Sequence, residues 1–330
     1  MYKSLSHLAK AADDWIWKRL FGTEDYMELH PPVELRLRML FRMPVQFIAP
    51  EVCERPIFIV GCPRSGTTLL YSLLQQAPEL KFLGQESHWI WEYCHPPRQA
   101  PDHSQVLKGG DVTGRSRRFI RACYGAAFGA DRFVDKCPTN ALRIEAIQAV
   151  FPDAVIIGLT RNGPDNISSL IDTWTDPDRF QGFEVPHDLD IDGYQGGKWV
   201  HVLPPGWQQY TNTSIEKVCA HQWRTLNRAL TDAKSKLPSD QFIRVRYESF
   251  FENPVETYEA IFEKLGLTWT NEVQSHVSSL DQHVVNTKTN PQLGKWRTRN
   301  PKRVSNVLNE IEPMMNTLGY SVPNPEKTNA

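Results

Sequence analysis

The run GCPRSGTT at residues 61–68 has the composition of a loop that binds a phosphate group. It stands between a short apolar run, predicted to be a strand, and a run with helical spacing. In that setting, exposed backbone N–H groups and the helix dipole attract an anion, and Arg64 adds a full positive charge. The glycine spacing is that of a nucleotide-binding P-loop, but Thr67 stands where such a loop has lysine. The run therefore predicts a phosphate site without the usual P-loop lysine.

The strand predicted for residues 154–160 is followed by Arg161, and Ser169 comes about two helical turns later on the same side. An arginine and a hydroxyl placed in this way can hold one phosphate, and that this pair has such a role is what the family resemblance described below implies. A magnesium-nucleotide enzyme usually has a carboxylate near the end of such a strand, whereas this strand ends in a cation. The loop at 61–68 is therefore predicted to bind its phosphate without a metal.

A parallel sheet must position these residues. Four short apolar runs are predicted to be strands, each followed by a helix, and this alternation is typical of a sheet covered on both faces. The predicted strands are 56–60, 133–135, 154–160 and 242–247, and the predicted helices are 67–74, 141–151, one from about 164, and 254–265. Ligands of such sheets bind beyond the carboxyl ends of the strands, where the motifs lie.

The overall composition is that of a globular protein with an ordinary core. The chain has 330 residues, 37 Lys and Arg against 38 Asp and Glu, and 40% hydrophobic residues. These values argue against disorder and against a nucleic-acid-binding protein, which is normally basic as a whole. No run of about 18 apolar residues predicts a transmembrane helix. Six dispersed cysteines without CxxC spacing favour reduced thiols, so the predicted location is cytoplasmic.

The remaining segments complete the predicted domain organisation. Residues 1–54 are interpreted as a helical extension, with one helix over 5–21 and a second that starts after Pro32 and ends before Pro44. Residues 55–320 form the main domain, and residues 321–330 form a tail. Residues 173–214 lose all periodicity and are rich in aromatic residues. We interpret this insertion as a cap on a substrate pocket, with a local aromatic core as the alternative.

These residues resemble those of the sulfotransferases that use 3′-phosphoadenosine-5′-phosphosulfate (PAPS). The run PRSGTT at 63–68 resembles the 5′-phosphosulfate loop of that family, and residues 161–169 resemble its 3′-phosphate motif. Arg64 is typical of the branch that contains tyrosylprotein and bacterial sulfotransferases. The resemblance covers about residues 55–310 and implies a three-layer, P-loop-like α/β fold. It also implies that residues 55–320 are a sulfotransferase domain, which moves a sulfuryl group from PAPS to a hydroxyl acceptor.

The same resemblance implies a catalytic base in the run GQESH at 84–88. That branch has a glutamate here, and alignment on the glycine gives the role to Glu86. His88 is the alternative, because the cytosolic branch uses histidine and imidazole titrates near neutrality. Lys136 resembles a family lysine that contacts the sulfuryl and bridging oxygens. Arg64 is expected to neutralise the charge that develops on the product, adenosine 3′,5′-bisphosphate (PAP).

The other cofactor-binding residues are assigned by resemblance. The 5′-phosphate is expected to contact Arg64, Ser65, Gly66, Thr67 and Thr68, and the 3′-phosphate to contact Arg161 and Ser169. Tyr247 is expected near the adenine, with a core aromatic as the alternative. Lys295 and Arg297 are expected in a loop that closes over the nucleotide, with a solvated basic stretch as the alternative.

Several hypotheses stay open at this point. The acceptor could be a carbohydrate, a phenol, a lipid or another small molecule, and the oligomeric state is not predicted. A metal-dependent P-loop kinase and a non-catalytic PAP-binding protein are the alternative functions. A metal site at His88, Cys94 and His95 is disfavoured, because the spacing matches no common zinc pattern.

Overall fold

The computed structural model describes residues 33–51, 53–176, 182, 184–278 and 293–323. Its centre is a parallel sheet of five strands in the order β2-β3-β1-β4-β5. The strands are β1 (Ile57–Gly61), β2 (Lys81–Phe82), β3 (Phe133–Lys136), β4 (Val155–Thr160) and β5 (Phe242–Arg246). The predicted α/β fold with a central parallel sheet is confirmed, and β2 is a short edge strand that the sequence did not predict.

Helices surround the sheet, and four of them were expected to follow strands, where the apolar spacing changes from continuous to helical. The α-helices are α1 (Val33–Ile48), α2 (Thr67–Leu74), α3 (His88–Cys94), α4 (Gly114–Phe128), α5 (Ile144–Val150), α6 (Gly163–Trp174), α7 (Ile215–Lys236), α8 (Ser249–Glu252), α9 (Pro254–Leu265), α10 (Asn271–Ser278), α11 (Trp296–Arg299), α12 (Pro301–Ser305) and α13 (Leu308–Leu318). Short 3₁₀ helices occupy Pro97–Gln99, Gly109–Asp111, Pro138–Arg143 and Trp207–Tyr210.

Two hydrophobic cores lie on opposite faces of the sheet. Along β1, Phe58 and Val60 belong to one core, whereas Ile57 and Ile59 belong to the other. This division follows from strand geometry, in which successive side chains point to opposite faces. A strand buried on both sides must be apolar throughout, and all five residues of β1 are buried.

The strand register brings the predicted motifs to one edge. Ile59 of β1 pairs with Lys136 of β3, so the chain that leaves β1 enters the phosphate loop beside the lysine. On the other side, Gly61 pairs with Leu159, and Arg161 directly follows β4. The carboxyl ends of neighbouring parallel strands therefore carry the loop, the lysine and the arginine side by side.

The predicted end of the helix before Pro44 is wrong, since α1 continues through Pro44 to Ile48. A proline inside a helix costs about 3 kcal/mol because one backbone hydrogen bond is lost. Packing of α1 on α4 offsets this cost: Arg38 donates to the carbonyl of Ala127 at 3.2 Å, and Gln46 packs against Gly125. The helix predicted over 5–21 lies outside the described residues.

The described part of the aromatic insertion packs into one of these two cores, the one that contains Phe58 and Val60. Trp174, Trp199 and Trp207 are fully buried, with neighbouring rings 5.2 Å apart in edge-to-face contact. Each indole N–H donates to a protein oxygen, that of Trp199 to the carbonyl of Val202 at 2.9 Å. These three tryptophans are therefore part of the fold and do not line a pocket.

Two general properties bear on the sequence predictions. Within the described residues, no helix is both long enough and apolar enough to cross a membrane. The six cysteines are free thiols, and five of them are buried.

Candidate active site

The phosphate loop has the backbone geometry that an anion-binding turn requires. Arg64 adopts a φ of 71° and Gly66 a φ of 98°, both in the left-handed region, and α2 begins directly after Gly66. Left-handed conformation costs a non-glycine residue free energy and is concentrated at functional sites. The turn leaves the first N–H groups of α2 without intrahelical partners, facing the mouth of the loop. Ser65 and Thr67 are buried, and Arg64 and Thr68 are half-buried.

Gly66 is required by its close neighbour. A Cβ atom added to Gly66 would collide with the ring of Tyr247, which follows β5. Tyr247 is 5% exposed and also stacks against the Arg161 guanidinium, whose carbon lies 4.3 Å from the ring centre. The tyrosine therefore packs directly against both anion-binding motifs. It is buried as a core aromatic would be, and its predicted contact with adenine stays a prediction.

We expect Gly66→Ala to destabilise the protein and to abolish nucleotide binding, because both the backbone conformation and the Tyr247 contact oppose a side chain. The matched control is Gly319→Ala, since Gly319 also has a positive φ of 76° but has open space at the Cβ position. The control should cost about 1–2 kcal/mol of unfolding free energy from conformation alone. Urea denaturation of both variants measures the difference, and equal losses would contradict the steric argument.

The two predicted phosphate motifs meet in space. Arg161 Nη1 donates to the backbone carbonyl of Arg64 at 2.8 Å, and Arg64 Nε donates to Ser169 Oγ at 3.3 Å. Asn166, which lies between the two halves of the second motif, donates to the carbonyl of Pro63 at 2.8 Å. The strand-end arginine and the start of α6 therefore hold the loop in place, and residues about 100 positions apart form one cationic site.

Buried donors in this cationic site fit a phosphate ligand. Ser65 Oγ and Arg161 Nε are both buried and have no hydrogen-bond partner among the described residues. A buried donor without a partner carries a desolvation cost of about 1–3 kcal/mol, which a bound acceptor oxygen would remove. The two donors belong to the two separate motifs, and this supports a ligand that spans both.

Glu86 and Lys136 form an ion pair at the neighbouring strand end. Lys136 Nζ lies 2.6 Å from Glu86 Oε1, and the Lys136 and Glu86 side chains are 14% and 25% exposed. Burial alone would raise the pKa of Glu86, but the Lys136 ammonium and His88 outweigh it and lower the pKa to about 2. The carboxylate is therefore ionised and positioned, but the adjacent ammonium limits its basicity.

A buried network fixes the turn that carries Glu86. Ser87 Oγ donates to Asp135 Oδ2 at 2.6 Å, and Tyr124 donates to the same oxygen at 2.5 Å. Asp135 directly precedes Lys136 in β3, so these bonds tie the Glu86 turn to the strand that carries its partner. The Gly84 N–H donates to the Tyr71 hydroxyl at 3.0 Å, which ties the same turn to α2. Two elements therefore set the Glu86–Lys136 geometry.

His88 lies against acidic groups. Its Nε2 is 3.0 Å from Glu86 Oε2, its Nδ1 is 3.5 Å from Glu92 Oε1, and its ring is 14% exposed. Although burial opposes the charged form, Cys137, Glu86 and Glu92 raise the pKa of His88 well above its ordinary value. An imidazole that keeps its proton is a poor general base, so this environment favours Glu86 over His88.

His201, in the aromatic insertion, was missed as a candidate site residue. It is half-buried and lies within electrostatic range of Arg64 and Glu86. Desolvation first, and then Arg64, lower the pKa of His201 to about 3, while Glu86 acts in the opposite direction. Its Nε2 lies 2.6 Å from the hydroxyl of Thr173 in α6. A positive φ of 65° for a non-glycine residue is the structural sign that this position is constrained. Nothing in the spacing of the sequence indicates that His201 is constrained or that it belongs to the site.

The basic segment around Lys295 packs on α6 through Asp165. Asp165 accepts hydrogen bonds from the backbone N–H groups of Gly294 and Trp296, at 2.8 and 3.2 Å. Trp296 is buried, Lys295 is half-buried and Arg297 is exposed, with its guanidinium over the Trp296 ring. Burial first, and then neighbouring charges that include Arg161, lower the pKa of Lys295. Lys295 therefore lies within electrostatic range of the cationic site, and the contact of Arg297 with nucleotide stays a prediction.

Comparison with known proteins agrees with this geometry. A family model described as the sulfotransferase family matches residues 56–184 and 198–271. Protein-tyrosine sulfotransferase A of Caenorhabditis elegans is 22% identical over 294 residues, which cover 83% of this chain and 69% of that protein. The nodulation protein NoeE of Sinorhizobium fredii is 32% identical over 141 residues, which cover 39% of this chain and 33% of that protein.

A solved structure supports the same fold. The crystal structure of sulfotransferase STF9 from Mycobacterium avium superposes with a TM-score of 0.55 at 15% sequence identity, covering 87% of this chain and 83% of that one. The matched segments of the family model include β1 and its loop, β3 with Lys136, β4 with Arg161, and β5 with Tyr247. More than half of the chain is matched, which confirms the resemblance read from the sequence: the chain belongs to the sulfotransferase family.

Proposed function

We propose that this protein transfers the sulfuryl group of PAPS to a hydroxyl acceptor, with Glu86 as the base. The observation that carries the proposal is the Glu86–Lys136 ion pair, at the strand end next to the cationic site of Arg64, Arg161 and Ser169. A base and a cation are thereby placed beside a site for two phosphate groups. Family membership supports PAPS as the donor.

In the proposed reaction, the acceptor hydroxyl loses its proton to Glu86 as its oxygen bonds to the sulfur of PAPS. The bond between sulfur and the bridging oxygen breaks, and its electron pair stays on the 5′-phosphate of PAP. Lys136 and Arg64 stabilise the negative charge that develops on this leaving group. Ser65, Gly66, Thr67 and Thr68 bind the 5′-phosphate through N–H and hydroxyl groups.

The 3′-phosphate is assigned to Arg161 and Ser169. Arg161 has a buried Nε available for hydrogen bonding, and Ser169 already lies within reach of Arg64. A nucleotide that lacks the 3′-phosphate would leave Arg161 Nε unpaired, so this pair is proposed to favour PAPS over ATP. Tyr247 is assigned to the adenine side of the bound nucleotide, and Lys295 to its phosphate side. Arg297 is assigned to the rim of the Lys295 segment, which is proposed to close over the nucleotide.

Lys136 is assigned a second effect, on the basicity of Glu86. While Lys136 pairs with Glu86, the carboxylate is a weak base with a pKa of about 2. When the ammonium turns to the sulfuryl and bridging oxygens, only His88 still opposes the effect of burial, and the pKa of Glu86 rises. The base would thus become stronger as the donor binds, and a rising pKa brings a general base nearer to the working pH.

We expect Lys136→Met to move the acid limb of the pH profile of kcat/KM to higher pH. In the unchanged protein the free-enzyme pKa of Glu86 is about 2, so Glu86 causes no loss of rate on acidification to pH 5. Without the ammonium, the Glu86 pKa rises, and protonation removes the base within the measured range. The rate should also fall at all pH values, because charge on the leaving group is no longer stabilised. An acid limb identical in both proteins would contradict the assignment of Glu86.

We expect Asp165→Asn to weaken PAP binding by about tenfold, equivalent to about 1.4 kcal/mol. An amide cannot accept both backbone N–H bonds that hold the Lys295 segment, and one bond to a charged group contributes about 1.5–3 kcal/mol. The matched control is Asp172→Asn, since Asp172 pairs with Arg299 of the same segment in an exposed position. That exposed pair is worth about 0–1 kcal/mol. Tighter PAP binding by Asp165→Asn would indicate that Asp165 acts by repelling the anionic nucleotide and not by anchoring the Lys295 segment.

The acceptor is tested by transfer of labelled sulfate from PAPS to a panel of sugars, phenols, hydroxylated lipids and tyrosine peptides. Labelled product from one class is the expected result, and it should form without added magnesium. Phosphate transfer from magnesium-ATP to the same panel, with no sulfate transfer, would contradict the proposal. The tyrosine peptides belong in the panel because protein-tyrosine sulfotransferases are among the relatives.

A further inference from the structure

We propose that Glu86, His88 and Cys137 form an inhibitory binding site for a zinc ion. Each residue offers one ligand atom, and the three atoms lie within 4.8 Å of one another. Thiolate, imidazole and carboxylate are the ligands that zinc takes in proteins. The group of possible metal ligands found in the described part of the chain includes neither Cys94 nor His95, which the sequence analysis had considered with His88.

The separations between ligand atoms are already close to those of a zinc site. His88 Nε2 lies 3.0 Å from Glu86 Oε2 and 3.6 Å from Cys137 Sγ. Zinc bonds of about 2.0–2.3 Å in a tetrahedron place nitrogen about 3.3–3.5 Å from the oxygen and sulfur ligands. Only small movements are therefore needed for one ion to contact all three side chains. The fourth position would be left for water.

The groups around the ligands have the arrangement that supports a metal-bound histidine. His88 Nε2 lies 3.0 Å from Glu86 Oε2, and its Nδ1 lies 3.5 Å from the carboxylate of Glu92. Cys137 Sγ lies 3.6 Å from Nε2 and 3.8 Å from Nδ1, so the ring needs a small rotation to bring Nε2 to a shared ion. Zinc-bound histidines typically direct their second ring nitrogen to a carboxylate or carbonyl, which orients the ring. Glu92 is itself fixed by Arg143, at 2.5 Å. Lys136 binds Glu86 Oε1, and Glu86 Oε2 faces His88 Nε2 at 3.0 Å, where an ion between the two could contact both.

The buried network preorganises the ligands. Cys137 directly follows Lys136 in the chain, and Glu86 and His88 flank Ser87. The Ser87–Asp135 hydrogen bond of 2.6 Å, with Asn140 donating to the same serine hydroxyl at 3.3 Å, holds the two ligand-bearing turns together. The site therefore exists in the folded protein before any ion binds.

Zinc at this position would block the proposed reaction. A metal bond to Glu86 Oε2 takes up the electron pair that accepts the acceptor's proton, and the ion's charge draws Glu86 away from Lys136. This inhibitory effect rests on the proposed function, whereas the binding of zinc does not. Zinc would therefore compete with the proton of the acceptor hydroxyl for Glu86.

Cobalt titration of the full chain tests binding without an activity assay. Co²⁺ should produce a thiolate-to-cobalt charge-transfer band in the near ultraviolet and the visible bands of a tetrahedral site, and zinc should remove both. Cys137→Ser should lose the charge-transfer band. The matched control Cys94→Ser should keep it, because Cys94 lies outside the ligand group. Absence of the band, or its persistence in Cys137→Ser, would overturn the proposal.

A second variant and a second measurement guard against a folding defect. His88→Gln should also lose the tetrahedral bands, and zinc should raise the melting temperature of the unchanged protein but of neither ligand variant. Glu92→Gln should weaken zinc binding by about 10–100-fold, as expected when the group behind a zinc-bound histidine is removed. Equal stabilisation of all variants by zinc would overturn the assignment of the ligands.

Sulfate transfer then tests inhibition, with each protein compared with its own metal-free rate. Zinc should inhibit the unchanged protein reversibly, with recovery on chelation, and inhibition of Cys137→Ser should need at least about tenfold more zinc. If the cobalt bands appear but zinc leaves transfer unchanged, the inhibitory role and the use of Glu86 as base are both overturned. If no sulfate transfer occurs under any condition, the proposed function fails, and the cobalt spectra still decide whether the site binds metal.

Discussion

Glu86→Gln is expected to lower kcat for sulfate transfer by about 10²–10⁴-fold while PAP affinity stays close to that of the unchanged protein. Glutamine has the shape of glutamate, and its amide oxygen can still accept the hydrogen bond that Lys136 donates at 2.6 Å. It cannot take a proton. The variant therefore removes the chemistry of the base while it keeps most of the packing of the turn.

The comparison with His88→Gln distinguishes the two candidate bases. If Glu86 is the base, His88→Gln should retain far more activity than Glu86→Gln, because His88 only contacts the carboxylate at 3.0 Å. The reverse order would assign the role to His88. Undetectable product from the unchanged protein, despite intact PAP binding, would favour a non-catalytic PAP-binding protein. Rapid-quench kinetics and calorimetry measure the two properties separately.

Arg161→Ala is expected to weaken PAP binding by about 30-fold to a few thousand-fold. Removing one partner from a buried, charge-assisted contact costs about 2–5 kcal/mol, and every 1.4 kcal/mol is tenfold in affinity. Arg161 is assigned to the 3′-phosphate, and it also donates to the carbonyl of Arg64 at 2.8 Å. The variant therefore loses the direct contact and loosens the phosphate loop.

Arg161→Lys separates these two contributions. Lysine keeps the charge but lacks the planar fork that reaches a ligand and the Arg64 carbonyl together. We expect its PAP affinity to lie between those of the unchanged protein and Arg161→Ala. Adenosine 5′-phosphate, which lacks the 3′-phosphate, should bind weakly to all three proteins. If its affinity falls as much as that of PAP, Arg161 acts on the loop alone, and its assignment to the 3′-phosphate is wrong.

The sheet and the phosphate loop could be predicted from the sequence because their signals are local. An apolar run such as residues 57–60 followed by glycine, proline and arginine specifies a strand that turns into an anion-binding helix start. The alternation of strands with helices then specifies a parallel sheet, and the register places Lys136 and Arg161 on either side of the loop. Strand β2 was not predicted, because its two residues are too few to form a recognisable pattern.

The contacts between distant segments could not be predicted. Asp165 holds the backbone of residues 294–296, and His201 lies within electrostatic range of Arg64 and Glu86, although nothing in their spacing relates them. The Ser87–Asp135 bond is equally invisible in the sequence. Helix α1 passes through Pro44 because packing on α4 outweighs a local rule. In each case a tertiary contact decides the outcome.

We propose that the cationic site selects a nucleotide with two separate phosphate positions and needs no metal. Calorimetric titration with PAP, and with ATP in the presence and absence of magnesium, tests this selectivity most directly. We expect tight PAP binding that chelation leaves unchanged, and poor ATP binding under both conditions. Tight ATP binding that requires magnesium, with weak PAP binding, would contradict it.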